Sequence, residues 1–367
     1  MGARRIVIKV GTSTLAPGGG AVDRAFVESL ADQVCELRAN GDMPLIVSSG
    51  AIAAGLERLG IEKRPTDMPS LQAAASVGQV ALIETYADVF ARRGVSVGQV
   101  LLTRHDTGHR EAYLHARDTF DRLLDLGIVP IVNENDTVAV DEIKFGDNDT
   151  LAALVATMVG AGLVVLLSDI EGLYDADPRV VAEAQLLAQV DVLTEDLVAA
   201  AGGAGTDGGS GGMVTKIEAA RVLMKAGIPL VVCDGHRPNV VIDAASGLPC
   251  GTMFAPGEGT IGARKLWIAL GRSPAGSIIV DDGAKTALTQ RGTSLLPAGV
   301  IGLTGTFEAG DAVVLTDVTG ALVGRGLSEV SSVELDRVKG MKTSAISAEF
   351  PLLAGKEVVH RDRLVIL

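Results

Sequence analysis

Short, unbroken apolar runs alternate with helical patterns through the first two thirds of the chain. The runs Arg5–Val10, Met43–Val47, Ser96–Leu102, Val129–Asn133, Leu163–Leu167 and Pro229–Cys233 are rich in Val, Ile and Leu and predict strands. Between them, Asp23–Asn40, Leu71–Arg93, His115–Leu126, Thr150–Val159 and Thr215–Ala226 carry the longer patterns of helices. Strands that are apolar throughout are buried on both faces, so the alternation predicts an α/β fold: a mostly parallel sheet covered by helices on both sides. In such sheets ligands bind beyond the carboxyl ends of the strands. Polar segments that directly follow a strand are therefore where chemistry is expected.

The pattern changes after about residue 260. The stretch around Arg272-Ser273-Pro274 reads as a linker. Beyond it, Ser277–Asp281, Gly299–Thr304, Asp311–Asp317, Ala321–Gly326 and Val358–Leu367 are short segments separated by turn signals. They predict a small β-rich domain with one or two short helices. The expected division is residues 1–259, a linker over 260–274, and 275–367. Ala199–Gly212 is a low-complexity Gly/Ala/Ser stretch and reads as a loop. The uncharged run Leu151–Ser168 nears the ~18 residues of a membrane span, but Thr157, Gly160 and Gly162 break it and Asp149 and Asp169 flank it. It reads as a buried helix, a Gly turn and a buried strand, so no membrane partner is expected.

Composition narrows the picture. The chain is 47% hydrophobic but only 3% aromatic, which suits small aliphatic side chains between helices and a sheet. A net charge of −13 lacks the basic surface that nucleic-acid binding needs. Any anion must meet cations gathered locally. Cys35, Cys233 and Cys250 form no CxxC pair, and Lys9 interrupts the apolar stretch at the N-terminus. Both features predict a reducing compartment and a cytoplasmic protein.

Five segments carry candidate chemistry. Lys9-Val10-Gly11-Thr12-Ser13 ends the first strand, where a tight turn could aim amides and hydroxyls at an anion; an edge-strand lysine in solvent is the alternative. Val47-Ser48-Ser49-Gly50-Ala51 runs from a strand into a helix N-terminus, a site that attracts carboxylates or simply takes a Ser cap. Asn133-Glu134-Asn135-Asp136 and Asp147-Asn148-Asp149 bring six Asn and Asp residues close together, more than helix capping needs. Carboxamides donate to carboxylates and carboxylates grip ammonium, so together they suit an amino acid. Ser168-Asp169 opens a turn-rich loop after the most apolar strand. Ser210-Gly211-Gly212-Met213-Val214-Thr215-Lys216 is a Gly-rich run into a helix, with Lys216 where the helix dipole disfavours a cation unless an anion is present. It is not a GxxxxGK[ST] loop. GxGxxG strings at Gly203–Gly208 and Gly257–Gly262 lack the flanking strand and helix and read as chance. His105 and His109 lack the HExxH context of a zinc site, and no GxSxG elbow of a hydrolase occurs.

Taken in order, KVGTS, VSSGAIAAG, NENDTV, FGDNDTLAALVA, LLSDIEGLYDADPR and GSGGMVTKIEAA resemble the amino-acid kinase superfamily, and most closely its glutamate 5-kinase branch of proline biosynthesis. The tail, from GSIIVDDGAKTAL through GTFEAGDAVVLTD, is similar to a PUA domain. The resemblance implies a three-layer αβα kinase domain followed by a small β-rich PUA barrel. It implies that Lys9 and Lys216 contact the ATP phosphates, held by Asp149. It places glutamate at Ser49, Gly50, Asn133, Asp136, Asp147 and Asn148. It places the nucleotide at Lys9, Gly11, Ser168, Asp169, Ser210, Gly211, Gly212, Met213, Val214, Thr215 and Lys216. ATP with Mg²⁺ is the implied co-substrate, with no protein-held metal. Proline as feedback inhibitor, a homodimer or homotetramer and a glutamyl phosphate reductase partner are implied as well. Three departures stand out: SGGM where TGGM is common, an unusually Gly-rich loop over Gly202–Gly212, and Glu349-Phe350-Pro351-Leu352 in place of a Gly/Tyr-containing stretch, which predicts different packing at the end of the tail.

A side-chain carboxylate with an ordinary pKa of about 4.3 is ionised at neutral pH and needs no general base. Catalysis then rests on in-line positioning and charge neutralisation. An acetylglutamate or aspartate kinase is the nearest rival. The paired Asn/Asp clusters and the tail argue against it. An RNA-binding protein acting through the tail is the rival of a different class; nine Lys and Arg against eleven Asp and Glu over 275–367 argue against that.

Overall fold

The computed structural model describes residues 3–103, 110–138, 148–178, 180–181, 183–202, 212–257 and 274–366. The chain divides into two compact units, Met1–Thr260 and Ile261–Leu367.

The first unit is built on a sheet of order β3-β4-β2-β1-β5-β7-β8-β6. Its strands are β1 Arg5–Val10, β2 Met43–Ser48, β3 Val97–Leu102, β4 Val129–Glu134, β5 Leu163–Ser168, β6 Gln189–Val190, β7 Leu230–Asp234 and β8 Thr252–Phe254. All pairings are parallel except β7 with β8. The predicted strands lie within a residue or so of these. β1 runs down the middle between β2 and β5, so its Ile6, Val7 and Ile8 have no exposed surface. The helices are α1 Thr12–Leu15, α2 Arg24–Ala39, α3 Ala51–Arg58, α4 Met68–Ala91, α5 Arg110–Asp125, α6 Asn148–Val159, α7 Glu195–Gly202, α8 Met213–Ala226 and α9 Val240–Ser246. β1, β2, β4, β5 and β7 all point the same way, so the segments that follow them share one edge of the sheet.

Two local features answer the sequence reading. The run 151–168 is a buried helix, a turn at Gly160 and a buried strand; Gly160 takes φ 60°, which favours glycine. Among the described residues no helix is long and apolar enough to cross a membrane. Part of the expected loop Ala199–Gly212 is instead helix, because α7 runs through Gly202. Thr194 caps it by accepting from the Leu197 N–H at 3.3 Å, and alanines propagate it. Composition alone hid that start signal.

The second unit holds β9 Gly276–Val280, β10 Val300–Gly305, β11 Ala312–Thr316, β12 Leu322–Ser328 and β13 Val359–Ile366 in the order β10-β9-β11-β12-β13. β9 and β11 pair in parallel, the others antiparallel. Three α-helices, not one or two, accompany the sheet among the described residues: α10 Asp282–Arg291, α11 Ser332–Val338 and α12 Thr343–Glu349. α11 begins with a reciprocal cap in which the Ser331 hydroxyl accepts from Glu334 N–H and the Glu334 carboxylate from Ser331 N–H. Ile278, Val313, Leu315, Phe307, Leu335 and Val359 form this unit's own core. At the unusual end of the tail, Phe350 packs against that core, Leu353 is buried and Leu352 is exposed.

Candidate active site

Lys9 and Lys216 lie more than two hundred residues apart in sequence, and both reach the same carboxylate. Lys9 Nζ is 2.6 Å from Asp149 Oδ1, and Lys216 Nζ is 3.2 Å from Asp149 Oδ2. Their placement follows from the elements. Lys9 is the penultimate residue of central strand β1, Asp149 the second residue of α6, and Lys216 lies in the first turn of α8. Lys9 is only 4% exposed, Lys216 3% and Asp149 1%. Lys9 is therefore not an edge-strand lysine in solvent. The Thr215 hydroxyl donates to Asp149 Oδ2 at 2.8 Å.

Burial alone would raise the Asp149 pKa. The charges of Lys9 and Lys216, with hydrogen bonds from Lys9 and Thr215, outweigh it and hold the carboxyl at about 2. Burial pushes the Lys216 ammonium down, opposed by Asp149 and reinforced by Lys9. Two cations against one buried anion leave a net positive cluster, which an incoming anion would balance. Gly11 sits beside it. Its amide is used, donating to Leu167 O at 3.2 Å, so it is not an anion donor. A Cβ at Gly11 would make only ordinary contacts, 3.5 Å to Leu167 O and 3.6 Å to Lys9 Nζ, which places this turn directly against the ammonium. At the start of α8, Gly212 caps without any side-chain acceptor and no acidic residue occupies the first turn. The start of a helix carries the positive end of its dipole, the feature used at anion sites. Met213 is half-buried and Val214 exposed there. Ser168 is buried at the end of β5, and its hydroxyl donates to exposed Asp169 at 3.2 Å. Asp169 lies within electrostatic reach of Lys216.

Next to this cluster stands a group of buried, neutral polar side chains. Asn148, the first residue of α6, donates from Nδ2 to Ser49 Oγ at 2.7 Å, to Ser48 O at 2.9 Å and to Asn133 Oδ1 at 3.2 Å. Three segments, after β2, at the end of β4 and at the start of α6, are thus tied together. Gly50 links β2 to α3 with φ 92°, and a Cβ there would also press on Leu15 at 3.3 Å. Only glycine takes that turn without strain. Asp136 follows β4, half-buried. Burial and the neighbouring Glu134 raise its pKa to about 7, against the opposing pull of Arg64. Asp147, Ser210 and Gly211, together with His105 and His109, fall outside the described residues.

Two participants, Ser48 and Gln79, stand outside the site residues that the resemblance implies. Ser48 contributes its carbonyl to Asn148 and its hydroxyl, at 3.2 Å, to the buried Tyr86 phenol. Gln79 on α4 accepts from Asn133 Nδ2 at 2.8 Å. Nothing in a local pattern marks Gln79, since its partner is 54 residues away.

Lys9 at the carboxyl edge of a parallel sheet and Lys216 at a helix start, beside a group of buried carboxamides, form a cationic centre of the kind that handles small anions. A model described as the amino acid kinase family matches residues 4–234, and a PUA domain model matches 276–350. A glutamate 5-kinase of Geobacter sulfurreducens is 45% identical over 364 residues, spanning 99% of this chain and 98% of that one. Glutamate 5-kinases of Caldanaerobacter subterraneus, at 44% over 98% of its length, and Vibrio vulnificus, at 45% over 96%, are similar across 99% of this chain. The chain belongs to the amino acid kinase family, in its glutamate 5-kinase branch, with a C-terminal PUA domain.

Proposed function

We propose that this chain transfers the γ-phosphoryl group of ATP to the side-chain carboxylate of L-glutamate, forming L-glutamyl 5-phosphate, the first step of proline biosynthesis. The observation that carries it is the convergence of Lys9 and Lys216 on one buried carboxylate, Asp149, beside the Ser49–Asn133–Asn148 pocket. In this reading the lysines neutralise charge on the migrating phosphoryl group, and Asp149 keeps them aimed. The start of α8, with Gly11, Ser168 and Asp169, receives the nucleotide. Ser49, Gly50, Asn133 and Asn148 receive the amino acid, and Asp136 receives its ammonium group. Asp147, Ser210 and Gly211 belong to the same sites by sequence.

The substrate carboxylate is the nucleophile and arrives ionised, so no residue need remove a proton. Asp149 is already engaged by two ammonium groups and is not open to a metal ion. Mg²⁺ would instead be held by ATP oxygens and water, and would supply neutralisation of phosphate charge. A cytoplasmic setting, a homodimer or homotetramer, inhibition by proline and a reductase that consumes the labile acyl phosphate belong to the same reading.

The test is a panel of glutamate, aspartate and acetylglutamate with ATP, trapping acyl phosphate with hydroxylamine. Glutamate should give hydroxamate in preference to the other two. No hydroxamate from glutamate, or preference for another acid, would refute the reading.

A further inference from the structure

Beneath the pocket, side chains from three elements form one directed chain. Asn133 Nδ2 donates to Gln79 Oε1 at 2.8 Å. Asn133 Oδ1 accepts from Asn148 Nδ2 at 3.2 Å and from the Glu134 N–H at 2.9 Å. Asn148 Nδ2 also donates to the Ser48 carbonyl at 2.9 Å. The oxygen and nitrogen of a carboxamide are told apart by their partners. Here both asparagines are pinned by backbone groups with only one role. The Glu134 N–H can only donate, so Asn133 turns its oxygen to it. The Ser48 carbonyl can only accept, so Asn148 turns its nitrogen to it. The nitrogen of Asn133 must then face α4, where Gln79 supplies the acceptor.

The consequence falls on the last atom. Asn148 Oδ1 is buried and has no donor. Gln79 Nε2 is likewise buried without an acceptor, so this glutamine is not optimal for its own burial. An unsatisfied acceptor at the end of a fixed chain is the complement of an ammonium group, which has three donors and no acceptor.

We propose that Gln79 is a specificity-determining positioning residue: by accepting from Asn133 it holds the carboxamide chain in the sense the backbone sets, and so keeps Asn148 Oδ1 in place to receive, together with Asp136, the ammonium group of the amino-acid substrate. The inference rests on the amino-acid reading of the pocket. It commits the site to an amino acid over the dicarboxylic acid that lacks the amine.

The full-length enzyme is assayed with glutamate and with glutarate, and the ratio of their kcat/KM values is the readout. Gln79→Met keeps length and volume but removes the acceptor. It should lower the ratio about tenfold or more, the worth of a hydrogen bond to a charged group, mainly through the glutamate KM. Gln79→Glu keeps an acceptor toward Asn133 and should restore most of the ratio. Gln79→Ala is read in the same way if the Met variant does not melt cooperatively. A folded variant without the acceptor and with an unchanged ratio overturns the proposal, as does a Glu variant that loses the ratio equally. If the wild type phosphorylates neither acid, the failure lies with the proposed reaction and not with Gln79.

Discussion

A lysine buried alone sheds its proton to avoid desolvation, but beside a buried carboxylate it keeps it. Asp149 pairs with two lysines at once, which makes the cluster sensitive to each member. Lys216→Ala should lower kcat by about 100-fold or more, the usual scale for removing a donor to developing charge. The glutamate KM should move far less; near-normal turnover would take Lys216 out of the chemistry. Asn148→Ala should act the other way, raising the glutamate KM more than it lowers kcat, and an unmoved KM would contradict its place in the pocket. Asp136 adds a pH dependence. Its pKa of about 7 lies above the ordinary carboxylate value because burial and Glu134 disfavour the charge, with Arg64 the cation facing it. In the free enzyme the ionised form is therefore penalised, and its contribution to stability falls as pH rises between about 4 and 7. An ammonium ligand favours the ionised form, so the glutamate KM should fall about tenfold from pH 6 to pH 8. Asp136→Asn should remove that slope; a flat profile in the wild type would show that Asp136 does not hold the ammonium.

At the scale of elements, the pocket depends on how closely two helices meet. A Cβ on Gly78 of α4 would lie 1.7 Å from the Ala51 carbonyl of α3, and one on Gly55 of α3 would lie 1.8 Å from the Ala74 carbonyl of α4. Backbone touches backbone, and no side chain fits between. Ala51 follows the Gly50 turn directly, so pushing α3 away moves the pocket wall. Gly78→Ala should cost roughly 1–3 kcal/mol in overpacking and raise the glutamate KM as well, checked by melting and by kinetics. Much of this was legible in the sequence: the strand ends carrying Lys9, Ser49 and Asn133, and the helix starts carrying Asp149 and Lys216. Those residues sit at fixed offsets from strongly patterned elements, so local order predicts them. The helix pairing is marked in the sequence only by small residues four apart, Ala51 and Gly55, Ala74 and Gly78, a spacing too common to predict it. Gln79 was not legible, because its significance arises from a contact made only when α4 lies across β4. The cap of α7 was overlooked beneath an Ala- and Gly-rich composition.

For the whole molecule the question is what the second unit adds. Every described residue assigned to the site, and every hydrogen bond and ion pair cited for it, lies between Lys9 and Lys216. The first unit has its own core, running from Ile6 through Val165 to Cys250, and its sheet is completed by β8 at Phe254. At about 260 residues it is large enough to bury that core without help. The second unit has a separate core and a slight excess of acidic residues, so it offers no electrostatic aid to binding ATP or nucleic acid. A chain ending at Thr260 should therefore fold, melt cooperatively and retain glutamate-dependent ATP turnover within about an order of magnitude, since every group proposed to touch the transition state is kept. Any effect of the deletion should appear in regulation, such as the response to proline, before it appears in kcat. A truncated chain that melts normally yet turns over no ATP with glutamate would mean that the chemistry needs a residue beyond 260, and would move the search for it into the C-terminal unit.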